Sequence, residues 1–201
     1  MESFMSNKIY SNIPKELLET SISFLVEEIF SKVQDALNMR KLKKAIEDYL
    51  IYFFEKNVFM NSLILGNNKH SVLEVYEPLT IYNTKNGCTE SYIIDSENIN
   101  FIQKYKNILL VDTAGTGKST IVKYLSIQTL LRGKVIPIVI ELRNLEATEI
   151  VDYIKHQMEP LHYTLRTRDL LYIMKQGGFL IFFDGYDEIE EQYKKTISHK
   201  I

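Results

Sequence analysis

Apolar positions along the amino-terminal third repeat with helical spacing. Leu18, Ile22, Leu25, Val26, Ile29, Val33 and Leu37 fall on one face, and Pro14 suits a first helical turn. A second helix is predicted from near Lys41 to Lys56, with Leu42, Ile46, Tyr49, Leu50 and Phe53 inward. The two should pack as a helical hairpin. The pattern changes after the turn signal Gly66-Asn67-Asn68-Lys69. Val72 to Tyr82 and Ser91 to Ile94 carry β-branched and aromatic residues around Asn83-Thr84-Lys85-Asn86-Gly87, which predicts a β-hairpin.

From residue 106 onward, short apolar runs alternate with helical patterns, the order of a parallel α/β unit. Ile108-Leu109-Leu110-Val111 reads as a strand, and Ser119 to Leu131 as a helix closed by Gly133. Val135 to Leu142 reads as a strand whose Pro137 cannot donate to a ladder, which argues for an edge. Ala147 to Met158 and Thr167 to Gln176 read as helices, the second closed by Gly177-Gly178. Phe179-Leu180-Ile181-Phe182-Phe183 is an unbroken apolar run, as expected of a strand buried on both faces.

Two of these junctions carry chemistry. Between the first strand and its helix lies Asp112-Thr113-Ala114-Gly115-Thr116-Gly117-Lys118-Ser119-Thr120. Gly115 and Gly117 permit a tight turn in which successive N–H groups converge on phosphate oxygens. Lys118 supplies a mobile positive charge and Ser119 a hydroxyl for Mg²⁺, while the helix N-terminus favours an anion. Thr113 to Thr120 is therefore the expected loop of a Mg²⁺-nucleotide site.

The second junction is Asp184-Gly185-Tyr186-Asp187-Glu188, at the carboxyl end of the last strand. Open α/β sheets bind ligands at such ends. Asp184 is expected to join Ser119 in holding Mg²⁺, an ion that prefers oxygen ligands. Glu188, or Asp187, is the candidate catalytic residue that orients or deprotonates a water.

These residues resemble the NACHT branch of the STAND NTPases. Ala-Gly-Thr-Gly-Lys-Ser-Thr followed by Phe-Phe-Asp-Gly-Tyr-Asp-Glu carries the likeness: Gly185 is the small residue after the metal-binding aspartate, and Asp187 and Glu188 are the further acids. Val135 to Arg143 is similar to the family's second strand and trailing arginine. The likeness runs from about Ile108 to Ile189, and more weakly back to Tyr76. It implies an α/β, P-loop three-layer sandwich behind a small helical domain, acting as an ATP-dependent sensing and defence switch. On that basis the chain divides into a helical domain (1–75), a lead-in segment with the hairpin (76–105) and the nucleotide domain (106–201).

The resemblance also implies sheet order 5-1-4-3-2, in which a fourth strand separates the loop's strand from the strand ending in Asp184. Glu190 to Ile201 is polar and offers no such run. The sequence thus reads as the amino-terminal part of a longer STAND protein. Two outcomes are expected of it: direct pairing of the two separated strands, or marginal stability. The usual loop also begins with glycine where this chain has Asp112. At a dielectric of about 20 and ~5 Å, that carboxylate would repel each phosphate charge by about 3 kcal/mol. An Asp112 turned to its own backbone in an Asx-turn avoids this.

Composition adds limits. The net charge of −2 supplies no electrostatic drive toward nucleic acid or membrane. A single cysteine, Cys88, excludes an intrachain disulfide and fits a reducing cytoplasm. No apolar run reaches the ~20 residues of a membrane span. His156 and His162 stand six apart without a third ligand, so they read as solvated or packed. Besides nucleotide, a protein partner or self-association is expected, through the amino-terminal helices or the exposed sheet. Two other readings stand beside the switch: a non-enzymatic interaction module acting through those helices, and an AAA+-type machine, against which Gly185 and the second acidic pair count.

Overall fold

The computed structural model describes residues 14–32, 39–61, 69–85, 88–105, 107–113, 115–145, 149–159 and 165–189. Val33, Leu37, Ala114, His162 and Glu190 to Ile201 lie outside them. The chain mixes helices with small parallel and antiparallel sheets.

Helices α1 (Lys15–Ser31) and α2 (Arg40–Asn57) pack together as the periodicity predicts. Leu18, Ile22, Leu25, Val26 and Ile29 from α1 meet Leu42, Ile46, Tyr49, Leu50 and Phe53 from α2, all buried. Two lysines near the start of α2 form ion pairs: Lys43 reaches across to Glu27 of α1, and Lys44 pairs with Asp48 at 2.9 Å. A small ladder unmarked in the sequence follows, β1 (Phe59–Asn61) against β2 (Lys69–Ser71). Val72 to Val75, expected to begin a strand, forms the short helix α3 (Val72–Val75) instead, because Ser71 caps it by accepting the Leu73 N–H at 3.3 Å.

The expected hairpin is present, with strands longer than the pattern suggests. β3 (Leu79–Lys85) and β4 (Cys88–Ile94) pair from Leu79↔Ile94 to Lys85↔Cys88; Asn86 and Gly87 of the expected turn lie outside the described residues. Cys88 is exposed at the start of β4 rather than in a loop. After α4 (Phe101–Lys104) comes the main correction. Ile108 to Val111 is not a strand and pairs with nothing among the described residues. Leu109 and Val111 are each 82% exposed, while Leu110 alone turns partly onto the core.

Helix α5 (Lys118–Leu131) then packs over the parallel pair β5 (Ile136–Glu141) and β6 (Phe179–Asp184). Gly133, at φ 62°, ends α5 by donating to Leu130 O at 2.9 Å. Helices α6 (Ile150–Met158) and α7 (Thr167–Lys175) connect β5 to β6. β5 is an edge, as Pro137 requires, and its outer carbonyls are capped by side chains. The Tyr49 hydroxyl donates to Pro137 O at 3.3 Å, and Gln157 Nε2 to Val139 O at 2.9 Å. β6 differs from its expectation. Every one of its residues is only half-buried, because β5 is its single strand neighbour among the described residues. The loop's segment and β6 do not pair directly, so of the two expected outcomes direct pairing is overturned.

One buried cluster runs from Leu18 in α1 to Ile189, so the helical hairpin and the α/β unit share a core. Gly178 is a point of close approach. A side-chain carbon built there would lie 3.0 Å from Ile29 Cγ1, and its φ of 86° is one that glycine adopts freely.

Candidate functional site

The loop after Val111 turns through two left-handed residues, Gly115 at φ 81° and Gly117 at φ 91°, the second serving as the N-cap of α5. Nothing lies within 4 Å of a carbon added at Gly115, so its conformation rather than crowding requires glycine. Thr116 Oγ1 donates to Thr113 O at 3.0 Å and tightens the turn. Lys118 is held inside its own loop: its amine donates to the carbonyls of Thr113 at 2.8 Å and Asp112 at 3.2 Å.

Asp112 is occupied locally. Its Oδ1 accepts the Thr113 N–H at 2.7 Å, one residue on, rather than two as in the Asx-turn expected. The outcome is similar, since the carboxylate is engaged with its own backbone and is exposed to solvent.

Sixty-five residues apart in sequence, the two motifs meet. Ser119 Oγ donates to Asp184 Oδ1 at 2.9 Å. The first turn of α5 positions one partner and the carboxyl end of β6 the other. Gly185 follows at φ 79°, a conformation that glycine adopts freely. That turn directs Tyr186 to Glu188 back toward the loop, and Asp187 Oδ2 lies 3.5 Å from the Lys118 amine. Glu188 is held elsewhere. Arg143, beyond the end of β5, reaches Glu188 at 3.2 Å with Nη1 and Glu141 at 2.9 Å with Nη2. The hydrogen bond and charge of Glu141, with the charge of Glu188, hold the guanidinium pKa above its ordinary value.

Ser119, Asp184, Gly185, Glu141, Arg143 and Glu188 line one end of a cleft of about 670 Å³ that reaches the end of α2, while Lys118 and Asp187 are not among its lining residues. Glu55, Lys56 and Phe59 form its far wall, and Thr120 and Lys123 lie on the α5 side. The motif-based reading missed Glu141 and Lys123. Lys123 stands one turn beyond Ser119 on the same helix face, so helical spacing alone would have marked it. It is half-buried, donates to Phe59 O at 3.3 Å, and has its pKa lowered by burial and by the charge of Lys56. Lys56 and Phe59 carry no local signal; tertiary packing brings them here.

Mg²⁺ would meet a fitting donor set, a hydroxyl and a carboxylate already in contact. No cluster of three or more His, Cys, Asp or Glu that would hold a metal unaided occurs among the described residues. His156 lies outside this region, 3.2 Å from Glu159. Among the described residues no helix is long and apolar enough to cross a membrane. Compared with known proteins, the chain matches no family model, no curated protein and no solved structure.

Proposed function

We propose that the chain is a P-loop nucleotide-binding protein, with the loop from Thr113 to Thr120 receiving the phosphates of ATP or ADP. Within that class, the sequence likeness favours a NACHT-type STAND switch, built on a three-layer sandwich, from a sensing or defence protein. The single observation that carries the reading is the Ser119–Asp184 contact at 2.9 Å, which unites two motifs far apart in sequence. A loop with two left-handed glycines and a helix N-terminus directly behind it supports the same conclusion.

The roles follow from the chemistry of each group. Lys118 neutralises phosphate charge, exchanging its bonds to loop carbonyls for bonds to the anion. Ser119 and Asp184 would hold Mg²⁺, whose positive charge would offset the negative charge of the phosphate oxygens. Glu188 or Asp187 orients a water. Arg143 engages Glu188, so hydrolysis by the isolated chain is weak or absent. The absence of an Asn-Lys-x-Asp signature from the sequence favours adenine over guanine.

Titration with a fluorescent ATP analogue and Mg²⁺, beside a Lys118→Ala variant, tests this. Saturable binding removed by the substitution supports the proposal; equal binding by both chains refutes it.

A second reading draws on a different observation. Leu17 and Phe24 stand exposed seven residues apart on the outer face of α1. They suit a module that binds a partner through its helices without turnover. Glu188→Gln separates the two: it abolishes hydrolysis in a switch that turns over and changes nothing in a pure interaction module.

A further inference from the structure

The two edges of the parallel pair are treated differently. On β5, Pro137 has no N–H, and the Pro137 and Val139 carbonyls are covered by Tyr49 and Gln157. That edge is closed to further strands. On β6 the opposite holds. Ile136 N–H donates to Gly178 O at 2.7 Å, which fixes the phase of the ladder. Leu180 and Phe182 therefore direct their backbone groups to β5, and Phe179, Ile181 and Phe183 present theirs outward. Among the described residues, no other strand meets them.

The same chain carries a segment suited to that edge. Ile108 to Val111 is short, apolar and rich in residues that favour strands, yet it is unpaired, with Leu109 and Val111 each 82% exposed. Among the described residues, each copy thus has one open strand edge and one free strand-forming segment that do not pair with each other. We infer that this surface is an interface with a second copy of the chain, in which Ile108 to Val111 of each copy lies along β6 of the other. A twofold exchange satisfies both open edges and covers both exposed segments at once. The closed edge of β5 stops the sheet from growing, so the product is a dimer rather than a fibre. A simpler β6-to-β6 pairing would leave Leu109 and Val111 in water.

The test is sedimentation of the full chain over a concentration series reaching ~100 μM, where weak dimers form by mass action. Leu109→Lys with Val111→Lys removes the donor at exposed positions. Ile181→Pro removes an outward N–H while leaving the bonds to β5 in place. Should its circular dichroism show that this chain has not folded, Ile181→Lys, which keeps every backbone group, serves as the acceptor variant. The exchange predicts a reversible wild-type dimer and a tenfold or greater loss of self-affinity in the donor and acceptor variants. It further predicts that an equimolar mixture of the two variants recovers a heterodimer, since one intact donor then meets one intact edge. A wild-type chain that stays monomeric overturns the inference. So does a dimer that survives Leu109→Lys with Val111→Lys, or a mixture that fails to associate.

Discussion

The amine of Lys118 lies 3.5 Å from Asp187 Oδ2, tying the start of α5 to the turn that follows β6. Both groups reach solvent, so the pair adds little to stability, about 0–1 kcal/mol. Its consequence concerns binding, because the carboxylate competes for the charge a phosphate would use. Asp187→Asn is therefore expected to raise affinity for a fluorescent ATP analogue by roughly twofold to fivefold at low salt, with the gain fading at high salt. Unchanged or weaker affinity at low salt would show that Asp187 does not compete with the ligand.

Ser119→Ala and Asp184→Asn should act together. Each is expected to reduce the Mg²⁺-dependent part of nucleotide affinity by about tenfold, near 1.4 kcal/mol. The two should be non-additive, because they share one contact. Calorimetric titration of the single and double variants, with and without Mg²⁺, reads this directly.

Gly178→Ala tests the seam between the helical hairpin and the α/β unit. It imposes a strained backbone at φ 86° and drives a carbon to 3.0 Å from Ile29. A loss of about 1–3 kcal/mol is expected. At roughly 2–4 °C per kcal/mol for a chain of this size, thermal melting resolves it. Adding Ile29→Val should restore part of the loss, since the crowding is side-chain and the dihedral strain is not.

Tyr49→Phe removes the donor over Pro137. Burial pushes that hydroxyl's pKa well above its ordinary value, so it stays protonated and able to donate. The variant leaves a buried carbonyl unpaired and should lose about 1 kcal/mol, visible as a lower denaturant midpoint at unchanged slope.

A pH effect is expected on the hairpin. Glu90 accepts from Tyr92, Lys104 and Tyr105, which lowers its pKa from 4.5 to about 2. A depressed carboxylate stabilises the folded state above its unfolded pKa, and the contribution is lost as pH falls through the folded value. The cluster should therefore loosen between about pH 4.5 and 2. The group is fully exposed, so the effect is small and screened by salt. Side-chain NMR of Tyr92 and Tyr105 would follow it, and Glu90→Gln should abolish the transition.

Where the sequence was read correctly, the physics was local. The helical faces of α1 and α2, the edge character that Pro137 gives β5, and the glycine-rich turn before Lys118 all follow from spacing or from single-residue geometry. Ile108 to Val111 was misread because a strand is not a local object: four apolar residues predict one only if another edge receives them. The full burial expected of β6 failed for the same reason. Glu141 and Arg143 illustrate a further limit. Their pairing with Glu188 depends on the parallel register that sets Glu141 beside Asp184, which no motif encodes.

The cap over β5 has a mechanical side. Tyr49 belongs to α2 and Gln157 to α6, so both helices grip a strand that resists stretching. From Pro137 to Glu141 that strand spans about 13 Å, at ~3.3 Å per residue. Tyr49 of α2 thus contacts one end of β5, while Glu141 at the other end is held by Arg143, which also engages Glu188. The amino-terminal hairpin and the acidic end of the cleft are joined through a single strand.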